Sequence, residues 1–130
     1  LATDNNFIDF FNKIVSCYFD IKGSKDVFKY SNIFTAKNID KNEFFDIAIL
    51  IARDLSMILT NNANLVICKN VLPKLKVISA SLNLSATSIL IETCMNAKKD
   101  MINNVNQVAI IDGFLFKLAE VKVKCRRLLA

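Results

Sequence analysis

No histidine occurs anywhere in this chain. A cysteine nucleophile normally needs an imidazole beside it, and histidine is the commonest metal-ligating side chain, so its absence removes two familiar chemistries together. The four cysteines, Cys17, Cys68, Cys94 and Cys125, contain no C-x-x-C pair. Structural zinc sites and thiol redox motifs both use such close spacing, so neither a metal nor a redox cofactor is expected. Glycine is nearly absent as well, with only 2 residues, and two isolated glycines cannot build a phosphate-cradling loop. With a single proline, Pro73, the chain also lacks the turn signals that a many-stranded sandwich or barrel requires. No apolar run approaches the roughly 20 residues of a membrane span. The tract Ile47–Ala52 is bracketed by Asp46 and by Arg53 and Asp54. Internal repeats and low-complexity segments are missing too. These absences exclude the common catalytic motifs and leave a non-enzymatic protein as the expectation.

What the chain has in excess is apolar side chain: 53% of its 130 residues, with a mean hydropathy of +0.35. The length fits one domain, residues 1–130. A domain this small has limited interior, so part of that apolar surface is expected either to line a ligand cavity or to pair with another chain. The periodicity is helical throughout. Phe7, Phe10, Phe11, Ile14, Cys17, Tyr18 and Ile21 mark a helix over 4–21, with Thr3 or Asp4 as its N-cap and Lys22, Gly23 and Ser24 as its stop. A short helix and an inward-packed loop follow over 25–38. Asp40 and Glu43 have capping-box spacing ahead of a helix over 41–59, whose apolar residues wrap most of its circumference. This is the expected buried central helix.

Thr60, Asn61, Asn62 and Asn64 supply the next turn. A stripe of Leu65, Cys68, Leu72, Leu75, Ile78 and Leu82 then continues through Pro73, with a bend or a break expected near Leu72. Ser85 is a candidate N-cap for a helix over 86–106, with Leu90, Cys94, Ala97, Met101, Val105 and Val108 on one side. The last helix covers 112–129, with Phe114, Leu115, Leu118, Val121, Cys125 and Leu128 inward. Val121 to Cys125 also alternates like a strand, yet the longer helical period prevails. The predicted fold is all-α: a compact bundle of five to six mostly antiparallel helices.

The cysteines all fall on apolar stripes. In a secreted protein they would form two interhelical disulfides, each stabilising by about 2 to 4 kcal/mol, whereas in the cytosol they would be buried thiols. The chain begins with Leu1 rather than Met, read here as processing, so the secreted, disulfide-braced alternative leads. Antiparallel neighbours favour Cys94 with Cys125, leaving Cys17 with Cys68. The triplet Asn83, Leu84, Ser85 is a glycosylation sequon at a predicted turn. Carboxylates such as Asp46, Asp54 and Glu92 are expected on solvated helix faces.

Of ten phenylalanines, Phe11, Phe44, Phe45 and Phe114 are the candidates to wall an apolar ligand pocket. Phe116 lies off its helix's main stripe and is a candidate contact in a homodimer. The formal charge of +5 concentrates near the end, where Lys122, Lys124, Arg126 and Arg127 read as a patch for a polyanion or lipid headgroup, or as a solvated helix face. The dispersed charge elsewhere is unlike the stripe that tracks nucleic acid. The expected function is binding of a lipid or other hydrophobic small molecule. The alternative is a protein-interaction or self-assembly module, such as a host-directed effector, that buries its apolar excess against a partner.

Overall fold

A computed structural model describes residues 5–103 and 106–129, and among these it is 83% helical with six α-helices and no strand. They are α1 (Asn5–Asp20), α2 (Val27–Phe34), α3 (Lys41–Leu59), α4 (Leu72–Ser79), α5 (Leu84–Ile102) and α6 (Gln107–Leu129). Short 3-10 turns at Ser24–Asp26, Ala63–Leu65 and Lys69–Val71 fill the connections. The predicted all-helical bundle is what forms. The N-cap expected at Thr3 or Asp4 and the inward Val105 lie outside the described residues.

The central helix α3 starts where Asp40 predicts, its carboxylate accepting the Glu43 amide at 3.0 Å. It ends on asparagine. Asn61 is left-handed at φ 63°, and the amides of Asn61 and Asn62 reach back to the carbonyls of Ile58 and Met57 at 3.1 and 2.7 Å. That is a Schellman closure, which asparagine tolerates because its short polar side chain lowers the penalty of positive φ. Phe44, Phe45, Ile47, Ala48, Ile51, Ala52 and Leu55 of α3 are all buried. The helix packs most extensively on α5 and also on α4 and α1, while α6 covers α5 and α2.

Polar bonds cross these interfaces where burial demands partners. The Tyr18 hydroxyl of α1 donates to the Ala48 carbonyl of α3 at 2.7 Å. Ser56 of α3 donates to Thr87 of α5 at 2.8 Å, and Ser31 of α2 to Asp112 of α6 at 2.6 Å.

Four local expectations are corrected. Of the bend or break expected near Leu72 the break forms, and the stripe ahead of it is not α-helical: α4 begins at Leu72 with proline in its first turn, where the missing amide is harmless. Leu65 and Cys68 therefore belong to the connection, and Leu65 is 53% exposed. The cap of α5 is Asn83, not Ser85, since its side-chain oxygen accepts the Ala86 amide at 2.8 Å. Gly23 is extended rather than a left-handed stop, and Asp26 folds back to take the amides of Lys22 and Gly23 at 2.9 and 3.1 Å. The predicted disulfides are absent too. Cys17, Cys68, Cys94 and Cys125 are free thiols with no two at bonding distance. An inward face fixes a residue's angle around its helix but not its height along it, so shared stripes do not bring sulfurs together.

Candidate functional site

The phenylalanines separate into two groups. Phe44, Phe45 and Phe114 are sealed in the core, their ring centroids 5.0 to 6.0 Å apart in edge-to-face contacts, and Phe34 joins Phe44 at 4.7 Å. Their rings pack on one another rather than around a void, so three of the four predicted pocket residues hold the bundle together. Phe11 is different. It is half-buried and stacks with Phe7 one turn earlier, at 6.4 Å, on the flank of α1.

That flank is one wall of an open apolar groove of about 720 Å³. Phe7, Ile8 and Phe11 come from α1, Ile47 and Leu50 from α3, and Ile67 from the connection ahead of α4. Asn12, Lys69 and Asn70 supply the polar lining. The third wall of the groove is the connection at 66–71, which is held against α3.

Asp54 does the holding. Its carboxylate is fully buried and accepts the amides of Ile67 and Cys68 at 3.0 and 2.9 Å. Two orphan donors just ahead of a 3-10 turn are thereby satisfied by one side chain, which fixes this wall. Arg53 Nη1 lies 3.5 Å from Asp54 Oδ1 and makes no hydrogen bond there. The expectation of a solvated Asp54 is thus reversed, because an acid that binds two backbone amides of a packed loop must go inside with them. Asp46 does stay exposed and pairs with Lys98 of α5. Glu92 is exposed as well.

Cys68 lines the groove but is a poor nucleophile. Burial and its hydrogen bond to the neighbouring Asp54 carboxylate push its thiol up to about 12, so it stays protonated near neutral pH. Cys17 and Cys94 are pushed still further up by burial. Among the described residues no group of three or more acidic, cysteine or histidine side chains is placed to hold a metal ion, and no single helix is long and apolar enough to cross a membrane.

The remaining candidates scatter. Lys122 is buried, not part of a solvated patch, and donates to the last carbonyls of α1, those of Tyr18 and Phe19. Arg126 donates to the Lys22 carbonyl at 2.6 Å. Lys124 sits 3.7 Å from Glu120, and Arg127 is exposed. The charge run therefore splits into two side chains that bind backbone and two that face solvent. Asn83 uses its side-chain oxygen as a cap at the half-buried start of α5. Phe116 is exposed as expected.

Sequence reasoning missed Ile8, Leu50 and Ile67, which belong to no common stripe. Only the pairing of α1 with α3 and the tethered connection makes them neighbours. Compared with known protein families, curated sequences and solved structures, the chain matches none.

Proposed function

We propose that this chain is a non-enzymatic binding protein that takes a hydrophobic small molecule in the groove between α1, α3 and the 67–71 connection. The observation behind this reading is the groove itself. Its volume of about 720 Å³ falls in the range of roughly 300 to 1,000 Å³ usual for small-molecule sites. Apolar side chains form most of its lining, with a few polar groups, including Lys69, available to orient a ligand's head. An acyl chain with an acidic head matches that distribution. With four free thiols, the expectation of secretion loses the support of disulfide bracing.

The test is fluorescence titration with N-phenyl-1-naphthylamine followed by displacement with oleate. Saturable binding and displacement are expected, with loss of both in Phe11→Asp while the far-UV spectrum is kept. A signal unchanged in Phe11→Asp and in Leu50→Asp would sink the proposal.

One observation favours the alternative of an interaction module. Leu84, Ile91, Met95 and Ile102 recur at helical spacing along one flank of α5, and Leu84, Met95 and Ile102 are exposed. Self-association through this stripe predicts a sedimentation coefficient that rises with concentration and is restored to the monomer value by Met95→Glu. A monomer at all concentrations counts against it.

A further inference from the structure

Away from the groove, cations converge where α1 ends. One recess of about 330 Å³ is lined by the apolar side chains of Phe19, Val77 and Ile78 together with Lys22, Lys122 and Arg126. A second, of about 650 Å³, again uses Phe19, Lys22 and Arg126 and adds Lys25 and Lys29. Among the described residues only two carboxylates line the region, Asp20 and Asp26. Both are already engaged, Asp20 by the Tyr30 hydroxyl and Asp26 by the Lys22 and Gly23 amides. Five cations against two occupied carboxylates leave an excess of three positive charges at a concave corner.

We propose that these two adjoining recesses form a binding site for a compact polyphosphorylated ligand, either free or as a lipid headgroup. Several features make the site more than a charged surface. The Arg126 guanidinium stands at the junction of both recesses, and its bond to the Lys22 carbonyl fixes its position. Planar guanidinium and convergent ammonium groups are the pair that recognises clustered phosphate. Lys74 lies over the Phe19 ring at 5.2 Å and adds a further cation at the edge of the apolar wall.

Lys122 lies beneath the first recess. Burial is the main cause that brings its amine down to about 8. A concave site of this size suits a compact ligand better than a nucleic-acid strand, which needs an extended track of cations with stacking platforms.

Isothermal titration of the full chain with inositol hexakisphosphate tests the free ligand. Flotation with phosphatidylcholine vesicles, with and without phosphatidylinositol 4,5-bisphosphate, tests the headgroup. Binding in either arm supports the site, and the arm that responds identifies the source of the phosphate. The double variant Lys22→Gln with Arg126→Gln should weaken it about tenfold or more, because charge-assisted bonds are lost. Lys25→Gln with Lys29→Gln, which removes none of the fold's observed hydrogen bonds, should act in the same direction. Lys99→Gln on α5 should change nothing. The proposal is overturned by silence in both arms, by unchanged affinity in both double variants, or by a single-stranded oligoribonucleotide binding more tightly than the hexakisphosphate. N-phenyl-1-naphthylamine binding in the α1/α3 groove should be indifferent to all of these variants.

Discussion

The core cluster of Phe34, Phe44, Phe45 and Phe114 and the groove wall of Phe7 and Phe11 are built from the same side chain and serve opposite ends. In the cluster, rings from α2, α3 and α6 meet one another tilted or edge to face and leave no ring uncovered. In the groove, the two rings stack on each other and then meet open space, because the third wall is a tethered connection rather than a helix. The number of elements that close on a phenylalanine decides whether it supports or binds. Dispersion contacts are individually small, so a ring covered on every side contributes its full packing energy and a ring with one free face keeps part of it for a guest.

The sharpest way to break this comparison is to cut one ring from the closed side. Phe44→Ala should lose about 3 to 5 kcal/mol of unfolding free energy in urea titration, because it leaves a cavity among three other aromatic rings. The fraction still folded should bind the groove probe normally. Next comes the tether. Asp54→Ala strands two amides and should lose about 2 to 3 kcal/mol, and here stability and probe affinity should fall together. If probe affinity survives intact, the connection is not held by Asp54 and the account of the groove's third wall is wrong. Phe11→Ala should separate the two properties in the other direction: about 1 kcal/mol in stability, with most of the probe signal gone. At the bottom of the scale, Phe28→Ser should stay within about 0.5 kcal/mol of the parent by thermal melting, since that ring is 70% exposed.

Much of this architecture was legible in the residues. The bounds of α3 could be read because both ends carry their own chemistry: an aspartate that caps and an asparagine that accepts positive φ. The segment ahead of α4 misled for a physical reason. The 65–72 region keeps an apolar rhythm, yet Val66 is buried from a connection, not from a helix, and Asp54 at a distance of thirteen residues holds it there. Periodicity cannot distinguish a buried helix from a loop that a buried acid pins down. The thiols teach a related lesson. Cys17, Cys94 and Cys125 are buried as their stripes predicted, but facing inward says nothing of which sulfurs meet. Of the predicted pocket residues Phe11 alone lines the groove, because Ile8, Leu50 and Ile67 become neighbours only in three dimensions. Likewise the charge run at 122–127 reads as one patch until Lys122 turns inward to the carbonyls of α1.

That inward turn has a consequence for how the protein is made. Lys122 caps the end of a helix that lies 104 positions earlier in the chain, and Arg126 binds the Lys22 carbonyl just beyond it. During synthesis from the N-terminus, α1 is complete long before the side chains that satisfy its last carbonyls have been added. Until residue 122 clears the ribosome those groups must rely on water, so the first helix waits on the last. Contacts of such separation form late and slow folding, and a nascent chain stalled before α6 would expose both an unfinished helix and the apolar faces of α2 and α5 to whatever chaperones are at hand.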